Sequence, residues 1–483
     1  MPELTVQTIK SRSLQGVVAL ISRTLVLQVI GFVAMFLLTI YLTPTVFGVY
    51  YVVSAFVNFL AYFSDVGLAA ALIQKKEALT DDDLSTTFSI QQILVLTISL
   101  IAVVLVPFIG VWYGLSGDGV ILLYALIASF FLSSLKTIPS VLLERKLEFS
   151  RLVIPQIAET IAFYAVAVIL ASRGFEISSF TYAVLTRGIV GLIVMYAVSP
   201  WRIRISITWS LAKRLMKFGV PFQLNSILAL VKDDLMTVFL GKILPFAAIG
   251  YIGWAKKWAE VPLRLIMDSM IRVTFPAFSR MQTSKELLGK ALNRTFFGLG
   301  AAIFPISVCM LFLIRPVVFL IPRYAKWEPA LVPFYLFVIS SGFAAFTTPL
   351  TNTLNAIGKI RTTLAIMVGW TIATWVFTVS FVHLFGFVGV SLTAVVLALS
   401  ILFVVPIVAR HAQFSLWSSI RIPAVGALVQ SGVMYGGFLL FHPSSVATLA
   451  LLCLAGVCAY GVILYAGEKN RIIELYSIWK NKQ

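Results

Sequence analysis

The chain has 483 residues, of which 60% are hydrophobic and only 12% charged, with a net charge of +18. So much apolar side chain cannot be hidden in a water-soluble fold of this size, so the composition points to an all-α polytopic membrane protein. The basic excess could suit nucleic acid, but its placement along the chain assigns it to topology, and no nucleic-acid partner is expected.

Residues 1–16, MPELTVQTIKSRSLQG, lead into an apolar stretch longer than a secretory core, which predicts a retained first helix. Fourteen apolar spans are predicted, near 17–41, 45–73, 87–113, 119–142, 152–172, 177–198, 216–242, 246–275, 293–314, 331–355, 362–383, 387–409, 421–441 and 446–466. Continuous runs, rather than alternation, exclude a β-barrel. Turn residues part the spans at LTPTVFG (42–48), GLSGDG (114–119) and HPSS (442–445). An even number of spans puts both termini on one side. With that side cytoplasmic, inner segments hold 24 Lys and Arg and outer loops hold 5, which predicts a multi-pass cell (inner) membrane protein with both termini inside.

The basic connector 199–217, SPWRIRISITWSLAKRLMK, alternates early and then reads as an amphipathic interfacial helix. It divides the chain into an N-terminal lobe of six spans (1–198), a second six-span lobe (218–410), and two further spans with a tail (411–483). The halves share a weak likeness. FGVYYVVSAFVNFLAYFSD (47–65) and IGYIGWAKKWAEVPLRLIMD (249–268) each open on a glycine, Gly48 or Gly250, and reach an acid, Asp65 or Asp268. Both run outside to inside, which suggests a parallel repeat with a cavity between the halves.

Charged residues inside spans are expensive, at about 2.5–3.5 kcal/mol each near a helix centre. The spans nevertheless hold eight cations and six acids, and WAKKWAEVPLRLIMDSMIR (254–272) concentrates them. At 100° per residue, Lys256, Lys257, Glu260, Arg264, Asp268 and Arg272 fall on one face. One reading is a self-neutralising i,i+4 ladder, with Arg272 snorkelling to the inner interface. The other is a cavity wall for an anionic cargo, since Lys256 and Lys257 outnumber Glu260. Glu260 and Asp268 would then hold Arg264 and the lysines until an anionic cargo competes. Arg187 lies mid-span with no acid in its own helix. Arg23, Lys136 and Glu159 lie nearer inner ends, where snorkelling or structural pairing is an equal reading. Lys232, Asp233 and Asp234 form either a helix-stabilising pair with a spare acid or a site for a coupling H+ or Na+. TDDDLS (80–85) reads as a solvated helix start or a weak cation site.

No Walker loop, nucleophile–base set or metal spacing is present, so neither an enzyme nor a cofactor is expected. Cys309, Cys453 and Cys458 all sit in apolar runs and suggest no disulfide framework.

Several phrases resemble the polysaccharide transport family of the MOP superfamily, the Wzx-type oligosaccharide flippases. They are SDVGLAAALIQKKE (64–77), LLERKLEFSRLVIPQIAE (142–159), VTFPAFSRMQ (273–282), YAKWEPALVPF (324–334), which lacks the usual glycine, and NAIGKIRTT (355–363). These mark helix ends and loops and transfer no contact residue. The resemblance implies two six-helix lobes, alternating access, and an oligosaccharide on an isoprenoid pyrophosphate moved to the outer leaflet. It also implies membrane lipids and polysaccharide polymerase machinery as partners, and sugar faces on which Trp254 and Trp258 could stack, although packing is the commoner fate of Trp. A lipid II flippase and a cation-coupled multidrug exporter are alternatives within the superfamily. A membrane-embedded sugar polymerase or ligase is an alternative outside it, which would usually carry a larger outer loop.

Overall fold

The computed structural model describes the backbone of residues 6–480 except Val66, Lys76, Asn225, Ser226 and Ser444. Side chains are described except those of 6–22, Leu25, Asp65, Val66, Lys76, 218–229, Val261, Pro262, Leu265, Asp268, Ser269, 271–273, Ser444 and 470–480. Every described regular element is a helix. Among the described residues, eleven helices are long and apolar enough to cross a membrane. They coincide with the second to sixth and ninth to fourteenth predicted spans. The other three predicted spans are helical but do not meet that measure, so the count of fourteen stands as a sequence expectation. The chain is a multi-pass membrane protein and forms two compact units, Met1–Gly250 and Tyr251–Gln483.

The first unit contains α1 (Val6–Tyr41), α2 (Pro44–Asp65), α3 (Leu68–Gln74), α4 (Asp81–Tyr113), α5 (Gly117–Ser134), α6 (Thr137–Arg145), α7 (Phe149–Ser172), α8 (Glu176–Val198), α9 (Trp209–Leu224), α10 (Ile227–Ile243) and the first turn of α11 (Phe246–Arg280). Two predicted spans are each broken into two helices. The span 45–73 breaks beside Gly67, whose φ of 70° is the left-handed conformation that glycine tolerates. The span 119–142 breaks at Leu135–Lys136.

TDDDLS is a helix start. Thr80 and Asp83 form a reciprocal capping box, and Asp83 also takes Lys75 at 2.6 Å. Asp81 pairs with Arg204 at 2.8 Å, so two of the three acids serve caps and ion pairs. The connector has no regular structure over 201–208 before α9 begins. Ser206 N–H donates to Ser89 Oγ (3.0 Å) and Thr208 N–H to Thr86 Oγ1 (3.1 Å). On α9, Ala212 and Leu215 are buried while Lys213, Arg214 and Lys217 are exposed. Leu215 joins Leu68, Leu72, Phe88 and Val141 in one apolar cluster, which fixes α9 against α3 and α4. Arg145 reaches across and donates three times, to the carbonyls of Leu72, Lys75 and Glu77.

Two helix starts in this unit cross at backbone distance. A methyl on Gly48 would overlap the Phe246 carbonyl, and one on Gly250 would overlap the Pro44 carbonyl. Pro44–Gly48 and Phe246–Gly250 are each the first turn of a helix, with the same i,i+4 spacing. The two glycines whose likeness the sequence suggested therefore meet reciprocally.

The second unit contains the rest of α11, then α12 (Lys285–Leu320), a 3-10 turn (Ala325–Ala330), α13 (Leu331–Ala356), α14 (Ile360–Phe385), α15 (Val388–Ala398), α16 (Ile401–Ala409), α17 (Leu416–Phe441) and α18 (Val446–Lys480). Leu263, Leu292, Phe296, Leu350 and Val404 centre its core. The predicted span 387–409 is broken between α15 and α16, where Trp370 Nε1–H donates to Ser400 Oγ (2.9 Å). The α17–α18 hairpin packs on α12, with Tyr460 O–H donating to Gly300 O at 3.2 Å.

Candidate functional site

The break between α5 and α6, at the end of the apolar span Gly117–Ser134, is the starting point, because the backbone groups freed there need partners. The sequence there is SSLKTIPS (133–140), small and polar residues followed by Pro139. Neighbouring helices supply the partners. Gln92 and Ser134 bond at 3.1 Å, and Gln91 Nε2–H donates to Thr137 Oγ1 at 2.9 Å. Tyr196 O–H donates to the Leu135 carbonyl at 3.1 Å.

The break presents Lys136 to two other helices. Its Nζ lies 2.5 Å from Glu159 Oε2 of α7, and both side chains are about seven-eighths buried, at 14% and 13% exposed. The other oxygen, Oε1, lies 3.9 Å from the Arg187 guanidinium of α8. Arg187 is midway along α8, eleven residues from either end, and 51% exposed. Gly191 makes this possible. A methyl there would overlap Glu159 Oε2 and sit 2.8 Å from Lys136 Nζ. Tyr50 and Tyr164 lie within electrostatic reach of Arg187, and Tyr50 stacks on Phe180 with centroids 4.2 Å apart.

The cluster holds two cations against one carboxylate. Lys136 is fixed by a short, buried contact, whereas Arg187 is loosely paired and open. A guanidinium so placed can bind a phosphate oxygen pair without first breaking a tight bond. On α1 and α7, Arg23 Nε, Gln28 Oε1 and Gln156 Oε1 are buried without a hydrogen-bond partner among the described residues. Buried polar atoms of that kind call for water or a ligand.

The sequence placed Arg187 correctly at mid-span but did not include Lys136 and Glu159 among the site residues. Glu159 is ten residues into α7, three more than its distance from the predicted span start. The signal was the polar run flanking Lys136, which marks a helix break.

Of the ladder on α11, the Glu260–Arg264 pair forms at 2.7 Å. Lys256 and Glu260 are half-buried, and Lys257 and Arg264 are exposed. Asp268, Arg272 and Asp65 lie outside the residues whose side chains are described. Trp254 is core, not a sugar platform. It is 1% exposed, stacks on Trp327 with centroids 5.4 Å apart, and donates Nε1–H to Tyr324 Oη at 3.2 Å. Lys232, Asp233 and Asp234 sit on α10, with Asp233 exposed and the other two half-buried.

The family profile described as "Polysaccharide biosynthesis protein" matches residues 37–332, more than half of the chain. A Klebsiella pneumoniae protein, "Uncharacterized membrane protein in cps region", is 24% identical over 74% of this chain and 73% of its own length. The Rhizobium meliloti (strain 1021) "Succinoglycan biosynthesis transport protein ExoT" is 25% identical over 54% of this chain and 52% of its own. Among solved structures, the lipid II flippase MurJ in an inward closed conformation shares the fold. Its TM-score is 0.77 at 14% identity, covering 94% of this chain and all of that one. An inward-facing multidrug resistance MATE transporter of the MOP superfamily gives a TM-score of 0.58 at 16% identity, covering 79% and 95%. The chain belongs to the polysaccharide biosynthesis protein family.

Proposed function

We propose that this family member is a flippase, not an enzyme, and moves a lipid-linked oligosaccharide on an isoprenoid pyrophosphate from the cytoplasmic to the outer leaflet by alternating access. The carrying observation is the Lys136–Glu159–Arg187 cluster, which keeps surplus positive charge at mid-helix beside a helix break. A pyrophosphate needs such cations in a protected place. The relative named for succinoglycan transport supports a saccharide cargo over a drug.

In this reading Arg187 is the open cation that takes the cargo phosphate, while Lys136 keeps the Glu159 carboxylate in position. In the second unit, Lys256, Lys257 and Arg264 are assigned as a separate set of cations, with Glu260 as their counter-charge. Arg23 and Lys232 are assigned to the cations of the first unit. Asp233 and Asp234 are the groups assigned to a coupling H+ or Na+. The Lys and Arg distribution supports residence in the inner membrane with cytoplasmic termini. Polysaccharide polymerase machinery would receive the cargo outside.

The test is deletion in the native host, with mass analysis of the lipid-linked intermediates. Accumulation of a complete lipid-linked repeat unit, cleared by the wild-type gene but not by R187Q, is the expected result. Normal export in the deletion strain would overturn the assignment.

A further inference from the structure

Two sulfurs meet inside the second unit. Cys309 on α12 and Cys453 on α18 place their Sγ atoms 3.0 Å apart, across 144 residues of sequence. Both are half-buried free thiols, and that separation is about 1 Å longer than a disulfide bond.

Their surroundings hold them together. Gln430 of α17 is fully buried. Its Nε2 donates to Pro305 O at 3.1 Å and to Cys309 Sγ at 3.2 Å, so Cys309 is oriented rather than free to rotate. Gln430 Oε1 has no hydrogen-bond partner among the described residues, which leaves an acceptor beside the thiol pair. Gly456, three residues beyond Cys453, lets α18 approach closely. A methyl there would sit 2.9 Å from Met434 Cγ and 3.2 Å from Gln430 Cγ. Cys453 lies seven residues from the start of the apolar span Val446–Lys469. On the orientation proposed above, that is the outer third of the membrane, toward the compartment where disulfides persist.

We propose that Cys309 and Cys453 are a modification site, a thiol–disulfide couple that ties α18 to α12. Two S–H bonds break and one S–S bond forms. The two electrons and two protons pass to a lipid-soluble two-electron oxidant of the quinone class, which leaves as the quinol. The bond closes the three-helix cluster of α12, α17 and α18, and a thiol reductant reopens it.

The experiment treats the full chain in membrane vesicles with a membrane-permeant diazene oxidant, followed by denaturation, maleimide titration and peptide mass analysis. The oxidant takes both thiol hydrogens onto its nitrogens. Titratable thiols should fall from three to one per chain, with Cys458 remaining free and the Cys309 and Cys453 peptides linked within one chain. Reduction should restore all three. C309S should keep both of its remaining thiols after the same treatment, and C458S should lose both of its own. Three surviving thiols in the wild type, linkage through Cys458, or thiol loss in C309S equal to that in C458S overturns the proposal.

Discussion

Replacing Glu159 with Gln keeps the shape of the side chain and removes its charge. The ammonium of Lys136, 14% exposed and 2.5 Å from that carboxylate, then has no counter-charge in the contact. Breaking a buried pair from one side costs about 3–5 kcal/mol. That is roughly a hundred- to few-thousand-fold in the folding equilibrium, at 1.36 kcal/mol per factor of ten. K136M should cost a similar amount, because it strands the carboxylate instead. The K136M/E159Q double variant should return to within about 1 kcal/mol of wild type, since neither charge remains to be desolvated. R187Q should cost less than about 1 kcal/mol, because its partner is 3.9 Å away and half of the side chain is open. Its export should nevertheless fall. Unfolding by SDS in mixed micelles, followed by tryptophan fluorescence, reads the stabilities, and surface polysaccharide reads the export. Additive losses in the double variant would show that Lys136 and Glu159 are not the pair described. A stability loss in R187Q equal to that in E159Q would remove the division between a fixed and an open cation.

A cysteine at Ala78 and another at Pro322, each in a cysteine-free background, test topology in intact cells. An impermeant maleimide should label only position 322, and labelling at 78 would reverse the orientation. W254A should lose about 3–5 kcal/mol through its stack on Trp327 and its bond to Tyr324. An unchanged thermal midpoint there would return Trp254 to the cargo surface. G48A should lose about 1–3 kcal/mol and export activity, whereas G342A, with nothing near its added methyl, should behave as wild type. Equal behaviour of the two would remove the significance of the crossing. R145A frees the carbonyls of Leu72, Lys75 and Glu77, so trypsin should cut after Lys75 several-fold faster in inside-out vesicles. Unchanged cutting would mean that Arg145 does not hold that segment.

Helix class and most span positions were legible because a bilayer imposes long apolar runs that a sequence cannot conceal. Breaks were less so. Gly67, Lys136 and Ser400 interrupt spans that hydropathy alone reads as continuous, since a break changes hydrogen bonding without changing apolarity. The Glu260–Arg264 pair could be read because both partners share one helix at i,i+4. The Lys136–Glu159–Arg187 cluster could not, because its members come from three elements and no periodicity links them. The Cys309–Cys453 contact was hidden for the same reason. Trp254 takes the packing role that is the commoner fate of Trp. Its neighbours in sequence are charged, but its neighbours in space are Trp327, Tyr324 and Phe334.

The reciprocal crossing of Pro44–Gly48 with Phe246–Gly250 has a mechanical consequence. It is a joint without teeth: main chain rests on main chain, with no β-carbon at either glycine to interlock. Separating such surfaces requires no rotamer to change, and water can at once take over the two carbonyls that become exposed. If these helix starts part during a transport cycle, their friction is therefore low in both directions. Any added methyl acts as a wedge at the closed position while leaving the open one undisturbed.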